Sequence, residues 1–387
     1  MSESAPAGAT VLFEELSTGD GHAIGVAVLN AEKSLNALSL TMIRLLAQKL
    51  TQWRTDERIA CVVLRGAGDK SFCAGGDMRA IRTAILAHGG KPDLEPLPAP
   101  VPEALAFFSE EYRLDYAIHR YPKPILSWGN GIVMGGGVGL VVGASHRVVT
   151  ESSRFAMPEI NIGLYPDVGG SWFLQRMPHR VGLFMALTAA PLNASDACYV
   201  GLADWFLRSA DYPALLDRLK QLTWSKDALQ NHAVLSNALR GFARDASGAG
   251  PAPVISARAD TIAELTQADC LQQVVQQITD YPGGDDWLSK AAVTLAHGSP
   301  TTAGLVWELF RRTRHLGLAD VLRQELVVSV QCCRHPDLPE GVRAVLVEKD
   351  HKPRWTPPTF EQLGQAWINS HFETPWRGDH PLSDLRE

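Results

Sequence analysis

The stretch from Gly129 to Gly170 constrains the fold of this chain more than any other. A short apolar strand at 125–128 leads into it, and Gly135–Gly137 then opens a helix of small apolar residues. Glycine has no Cβ, so a ligand can closely approach the backbone N–H groups of the first helical turn. These unpaired donors and the positive end of the helix dipole stabilise an oxygen that gains negative charge. The stretch therefore predicts an anion-stabilising turn.

Two carboxylates follow the glycine cluster, and each comes directly after a proline. Glu159 follows Pro158, and Asp167 follows Pro166. Proline fixes its own φ and restricts the residue before it, so each carboxylate is held in a defined place. A capping role is the main structural alternative for either acid. An anion-stabilising turn together with two fixed acids nevertheless favours a catalytic site.

A second glycine turn, Ser71–Asp77, lies between a predicted strand and a predicted helix, as the first turn does. Two such turns can each supply an N–H group to a two-donor oxyanion hole. One donor of this kind is typically worth a factor of about 10²–10³ in rate. Taken singly, each turn is better explained as an ordinary tight turn, but their recurrence in one chain favours function.

The alternation of strand and helix patterns indicates an α/β fold with much parallel pairing. Strands are predicted at 11–16, 24–29, 61–64, 125–128, 147–150, 154–156 and 205–207. Helices are predicted at 39–55, 78–86, 103–119 and 138–144, and later at 257–280, 286–296, 301–315 and 318–332. A proline- and glycine-rich loop is expected at 89–102. We therefore expect an α/β catalytic core over residues 1–210 and a mainly helical region over 211–387.

The composition is typical of a globular chain, with 45% apolar and 20% charged residues among 387. The formal charge of −6 gives no reason to expect nucleic acid or an anionic membrane as a partner. No window approaches the roughly 20 apolar residues of a spanning helix. Residues 1–10 contain no basic residue, which argues against a secretory or transit peptide. Six cysteines without a C-x-x-C pair favour a reducing, cytoplasmic compartment.

Other chemistries have weaker sequence support. The spacing of Gly137, Gly139 and Gly143 resembles a dinucleotide-binding turn, but Glu151 and Glu159 do not fit the acid that should follow it. There is no G-x-S-x-G, and the histidines show no metal-binding spacing. Cys73 could be a nucleophile, although a buried structural role is favoured. We expect no metal or redox cofactor.

Several of these segments together resemble the crotonase (enoyl-CoA hydratase/isomerase) superfamily, and more narrowly its thioester hydrolase branch. The resemblance covers nearly the whole chain and is carried by Ser71–Asp77, Met134–Gly139, Phe155–Glu159 and Ile162–Gly170, with further matches at Phe107–Tyr112 and Glu340–Asp350. It implies an α/β fold of the crotonase type, a spiral of βαβ turns with a helical C-terminal region. The superfamily often forms trimers or hexamers, so the resemblance is compatible with a homo-oligomer.

The resemblance also implies a role for individual residues. The N–H groups of Ala74 and Gly136 would bind a thioester oxygen, and Glu159 would attack the carbonyl carbon or activate water. Asp167 and Glu111 would contact the hydroxyl end of the acyl group, and Asp167 would also transfer a proton. The turn residues Gly75, Gly76 and Asp77 would contribute to substrate binding.

The implied activity is hydrolysis of a short 3-hydroxyacyl-CoA, with 3-hydroxyisobutyryl-CoA as the expected substrate and valine breakdown as the setting. Hydratases of the superfamily use two glutamates, and Gly139 stands where one of them is expected. This departure argues against hydration, and an enoyl-CoA hydratase or isomerase of the same superfamily is the weaker alternative. Two others stay open: an NADP-dependent oxidoreductase, and a CoA-binding protein without activity. CoA is a part of the substrate in the favoured interpretation.

Overall fold

The structure, a computed structural model, describes residues 8–90 and 96–386. Its strands in chain order are β1 (Val11–Ser17), β2 (Ala23–Leu29), β3 (Ile59–Gly66), β4 (Ser71–Cys73), β5 (Ile125–Gly129), β6 (Ile132–Met134), β7 (His146–Val149), β8 (Arg154–Ala156), β9 (Leu192–Asn193) and β10 (Trp205–Phe206). Its longer helices are α1 (Leu40–Thr55), α2 (Met78–Ala87), α3 (Pro102–His119), α4 (Gly136–Gly143), α5 (Gly170–Phe173), α6 (Val181–Thr188), α7 (Ala194–Tyr199), α8 (Tyr212–Gln221), α9 (Ala228–Asp245), α10 (Ala259–Thr266), α11 (Leu271–Thr279), α12 (Asp286–His297), α13 (Pro300–Thr313), α14 (Leu318–Arg334), α15 (Asp337–Val342) and α16 (Gln365–Ser370).

The strands form a larger and a smaller sheet, ordered β1-β2-β3-β5-β7-β10 and β4-β6-β8-β9. In the larger sheet β1 runs antiparallel to β2, and the other neighbours are parallel. The residues of β3 form an almost unbroken buried apolar run. Such a run is typical of a parallel strand that is covered on both faces. The parallel pairing predicted from the sequence is therefore confirmed.

The core of the larger sheet is closed by α8 and α9, which the sequence analysis had not predicted individually. Apolar side chains from β2, β3, β5 and β7 form one buried cluster with side chains from these helices. The helix members of the cluster are Tyr212, Leu215, Leu219, Leu235 and Leu239. Burial of this apolar surface is the main stabilising contribution available to these helices.

The described residues group into two compact units. The first comprises those within Met1–Gly76, Leu114–Phe155 and Leu192–Ser256, and the second those within Asp77–Arg113, Ala156–Pro191 and Ala257–Glu387. The sequence analysis expected a single boundary near residue 210, whereas each unit takes three separate segments of chain. For the part that follows the expected boundary, the reason is that α8 and α9 pack with the sheet.

The second unit is mainly helical, and α14 is buried along most of its length. Its end is set by Pro336, because the residue before a proline is biased towards extended backbone; His335 has a ψ of 159°. The single helix predicted at 257–280 is instead split into α10 and α11. The chain is extended at Cys270, which has a ψ of 151°, so the second helix starts in a new direction.

The proline-rich segment at 89–102 has neither helix nor strand among its described residues before α3 begins, and residues 91–95 lie outside the described part. Residues 1–7, where we expected no targeting peptide, are also outside it. Within the described ranges, no helix is long and apolar enough to cross a membrane.

Candidate active site

The two glycine turns lie against each other within the first unit. A Cβ on Gly137 would lie 2.4 Å from the carbonyl oxygen of Cys73, and a Cβ on Gly75 would lie 3.8 Å from the nitrogen of Gly136. Gly75 has a φ of +102° and Gly135 of +49°, in the range where glycine is favoured. The turns predicted separately from the sequence are thus brought together, backbone against backbone.

The amide groups of the two turns differ in their availability. The Ala74 N–H donates to the carbonyl of Leu35 at 3.0 Å, so this N–H is already used within the backbone. The N–H groups of Gly76 and Gly136 have no acceptor among the described residues. Ala74 therefore does not fit the donor role expected from the sequence, and Gly76 is the better candidate. Gly136 begins α4, where unpaired N–H groups are the rule.

The remaining residues of the Ser71–Asp77 turn have structural partners. The Gly75 carbonyl accepts from the Leu38 N–H at 2.8 Å, and a parallel bridge joins Leu38 to Gly76. The Asp77 side chain accepts from the Ala80 N–H at 3.1 Å and caps α2. A cap of this kind satisfies one of the free donors of a helix start. Asp77 therefore has a structural role of its own; its predicted contact with substrate stays a prediction.

The three predicted acids belong to the second unit, and all of them are buried. Glu111, Glu159 and Asp167 are only 2%, 5% and 4% exposed. Glu111 lies on α3, and the side chain of the next residue, Tyr112, is hydrogen-bonded to that of Asp167. Buried carboxylates are rare unless they are paired or functional, because burial disfavours their charged form. The burial is not that of solvated surface charges.

Glu159 is the first residue of a short 3₁₀ turn that Pro158 introduces. Its carbonyl accepts from the N–H groups of Ile162 and Leu164, which fixes the turn. Its Oε2 atom is buried and has no hydrogen-bond partner among the described residues. Burial, and after it the charge of Asp167, raise the pKa of Glu159 well above its usual value. An unpaired, desolvated carboxylate oxygen is suited to nucleophilic or general-base chemistry.

Asp167 is held by a tyrosine that the sequence analysis missed. The Tyr112 hydroxyl donates to Oδ2 of Asp167 at 2.6 Å. Burial raises the pKa of Asp167 to about 6, while the bond from Tyr112 opposes this shift. Two neighbouring buried acids with raised pKa values are a recognised pattern of acid–base catalysis.

The turn after Asp167 is fixed by Glu325, a second residue that the sequence analysis missed. Its carboxylate accepts from the N–H of Gly169 at 2.7 Å and from that of Ser171 at 2.8 Å. Val168 has a φ of 54°, which is strained for a β-branched residue. The signal in the sequence was a glutamate within the apolar run of α14, where a solvated position is implausible. Glu325 thus supports the strained turn from a neighbouring helix.

The structure gives no support to a cysteine nucleophile or to a metal site among the described residues. Cys73 is fully buried, in line with the structural role favoured from the sequence. The six cysteines are free thiols. Over residues 8–90 and 96–386, no group of three or more His, Cys, Asp or Glu side chains is arranged to hold a metal ion.

Comparison with known proteins gives a consistent result. The model of the enoyl-CoA hydratase/isomerase family matches residues 24–372. A protein of Danio rerio is 37% identical over 96% of this chain and 91% of its own length. A protein of Homo sapiens is 35% identical over 90% of this chain and 86% of its own length. Both are named 3-hydroxyisobutyryl-CoA hydrolase, mitochondrial.

Two solved structures are similar over nearly the whole chain. A carnitinyl-CoA dehydratase from Mycobacterium thermoresistibile has a TM-score of 0.80 and 32% identity, and covers 94% of this chain and 96% of its own. An enoyl-CoA hydratase from Rhodobacter sphaeroides has a TM-score of 0.78 and 28% identity, and covers 94% of this chain and 97% of its own. These similarities confirm the crotonase-like α/β fold expected from the sequence.

Proposed function

The chain belongs to the enoyl-CoA hydratase/isomerase family, and from that premise we propose that it hydrolyses 3-hydroxyisobutyryl-CoA to 3-hydroxyisobutyrate and CoA. The names of the similar proteins from Danio rerio and Homo sapiens support this substrate. The main structural support is that Glu159 and Asp167 are both buried. In the sequence, Gly139 stands where a hydratase of the family has a further glutamate. A single acid beside Asp167 suits attack on a carbonyl better than addition of water to a double bond.

The proposed mechanism divides the chemistry between amides and acids. The N–H groups of Gly76 and Gly136 bind the thioester oxygen and stabilise its charge when the carbonyl carbon becomes tetrahedral. Glu159 attacks that carbon or removes a proton from the attacking water. The carbon–sulfur bond then breaks, and CoA leaves with the electron pair on sulfur. If Glu159 is the nucleophile, water then hydrolyses the resulting acyl anhydride, which releases the acid and restores the Glu159 carboxylate. Asp167 and Glu111 bind the hydroxyl of the acyl group, and Asp167 exchanges protons with it or with water.

The proposal includes the setting of the reaction. Water is the only co-substrate, so no metal or redox cofactor is required, and CoA enters as a part of the substrate. Valine breakdown is the proposed pathway. The cytoplasm stays our proposed location from cysteine usage, although both relatives above carry the word mitochondrial in their names. Fractionation of cells that express the tagged full-length protein separates the two compartments.

The decisive experiment is to offer 3-hydroxyisobutyryl-CoA, 3-hydroxypropionyl-CoA and crotonyl-CoA, and to measure free thiol. We expect thiol release from both hydroxylated thioesters, with the first preferred. Loss of the crotonyl chromophore without release of thiol would instead indicate a hydratase. Thermal stabilisation by NADP without either reaction would indicate a nucleotide-dependent enzyme. Binding of CoA with no turnover of any substrate would indicate a silent CoA-binding protein.

A further inference from the structure

Three hydroxyl groups link Asp167 to the backbone of α14. Tyr112 contacts Oδ2 of Asp167 at 2.6 Å, and its oxygen lies 2.7 Å from that of Ser329. Ser329 lies 2.9 Å from the hydroxyl of Tyr165, which donates to the carbonyl of Glu325 at 2.7 Å. All of these residues belong to the second unit. We call Tyr112, Ser329 and Tyr165 the hydroxyl chain.

Whether every contact of the hydroxyl chain contains a proton depends on Asp167. The chain makes four contacts, but its three hydroxyl groups supply only three protons. If Asp167 is ionised, one close oxygen–oxygen contact has no proton in it. The bond that Tyr112 donates to an ionised Asp167 reverses when Asp167 carries a proton, and every contact then has one. Asp167 donates to Tyr112, Tyr112 to Ser329, Ser329 to Tyr165, and Tyr165 to the Glu325 carbonyl. Unsatisfied polar contacts are costly when they are buried.

We propose that the hydroxyl chain holds Asp167 in its neutral, protonated form and so leaves the negative charge of the active site to Glu159. Tyr112, Ser329 and Tyr165 are positioning residues in this proposal, because they act through Asp167. The proposal rests on the proposed function for its catalytic consequence, but not for the protonation state itself. Oδ2 is the oxygen of Asp167 that contacts the hydroxyl chain.

The surroundings of Asp167 shift its pKa in the same direction, towards the protonated form. Burial is the largest cause of its raised pKa. The ionisable groups that interact with it across the second unit are Glu159, Tyr112, Tyr165, Glu325, Cys332 and Cys333. None of these groups is a cation, so no positive charge among them stabilises an ionised Asp167. A neutral Asp167 also removes one cause of the raised pKa of Glu159.

Ser329→Ala tests the chain most directly. Without Ser329, the proton of Tyr112 has no acceptor when Asp167 is neutral, but it can still donate to an ionised Asp167. The variant is therefore expected to lower the pKa of Asp167 by about one unit, a tenfold change in the protonated fraction at a given pH. Infrared titration of the protonated carboxyl band, assigned by its disappearance in Asp167→Asn, measures this directly. A midpoint that does not move in Ser329→Ala overturns the proposal.

The pH profile of kcat/KM provides the catalytic readout. In Ser329→Ala an ionised Asp167 repels the charge of Glu159, so the acidic limb is expected to move to higher pH. In the double variant Ser329→Ala, Asp167→Asn, the acidic limb of the kcat/KM profile is expected at the same pH as in the single variant Asp167→Asn. A shift that persists in the double variant contradicts the proposal. If the native enzyme releases no thiol, the proposed function fails, while the infrared titration still decides the role of the chain.

Thr266→Val is the matched control for loss of a buried hydroxyl in the same unit. The Thr266 hydroxyl is fully buried and donates to the carbonyl of Ile262 at 2.7 Å, within its own helix. This variant is expected to leave both the infrared midpoint and the acidic limb unchanged. A shift of the same size in the control would mean that general loosening of the unit causes the effect, and would overturn the proposal.

Discussion

Gly137 and Cys73 approach so closely that a Cβ on Gly137 would lie 2.4 Å from the Cys73 carbonyl oxygen and 2.8 Å from its Cβ. No side chain can enter this space without moving one of the two turns. The contact therefore sets the distance between the turn that carries the Gly76 amide and the turn that carries the Gly136 amide. Their spacing is a property of the backbone, as the two-donor hole in the proposed function requires.

Gly137→Ala is expected to separate the two turns and to lower kcat by about 10²–10³, the typical effect of losing one oxyanion donor. KM is expected to change less, because the donors act mainly in the transition state. Steady-state thiol release measures both constants. Gly241→Ala is the control, since a Cβ there meets nothing within 4 Å and the residue lies inside α9. The assignment fails if Gly137→Ala turns over at the native rate while folded.

Glu159→Gln removes the carboxylate but keeps the size of the side chain. We expect a loss of thiol release of about 10³-fold or more, as is typical when a nucleophile or general base is removed. Binding of CoA, followed by calorimetry, is expected to be nearly unchanged, because the amide can remain in the same buried turn. Turnover close to native in this variant would reject the role of Glu159.

Asp167→Leu tests the contact with the acyl hydroxyl, because leucine is similar in size but can neither donate nor accept a hydrogen bond. The substrate hydroxyl has no counterpart in isobutyryl-CoA, so we expect kcat/KM to fall about tenfold more for 3-hydroxyisobutyryl-CoA than for isobutyryl-CoA, the usual effect of one buried hydrogen bond. The comparison within one variant cancels any general loss of activity. Equal losses for the two thioesters would mean that Asp167 does not contact the hydroxyl.

The backbone features of the site could be predicted from the sequence because they are local. The Ser71–Asp77 turn, the Gly135–Gly137 cluster and the prolines before Glu159 and Asp167 each act within a few residues. Whether an amide in such a turn is available is not local. The N–H of Ala74 is used because Leu35, far earlier in the chain, presents its carbonyl there. The choice between neighbouring amides therefore required the structure.

The supports of the acids could not be predicted, because they join distant segments. Tyr112 and Ser329 are 217 positions apart, and Gly169 and Glu325 are 156 apart. Nothing in the helical periodicity of α3 or α14 indicates which polar residue meets which. The same limit applies to the helical region, where α8 and α9 follow the predicted domain boundary but pack on the sheet. The hydrogen-bond partners of the acids and the placement of α8 and α9 depend on tertiary packing rather than on local propensity.

Glu325→Gln tests the clamp on the Asp167 turn through the pH dependence of stability. Burial raises the pKa of Glu325 from 4.5 to about 8 in the folded state. Below pH 4.5 both states hold the proton. Between 4.5 and about 8 the unfolded state releases it while the folded state keeps it, so this residue makes the free energy of unfolding fall as pH rises. Glutamine does not titrate, and we expect urea unfolding of the variant to show a smaller fall across this window.

The same variant is expected to be less stable than the native protein at the acidic end of the window. Glutamine offers one acceptor oxygen to the two N–H groups of Gly169 and Ser171, and one unsatisfied buried donor costs about 1–3 kcal/mol. The difference in slope between the two proteins is the informative quantity. It cancels the contribution of other groups, such as His371, whose pKa burial lowers to about 3. Parallel stability curves would mean that Glu325 is ionised in the folded protein throughout, and that the clamp is a charged one.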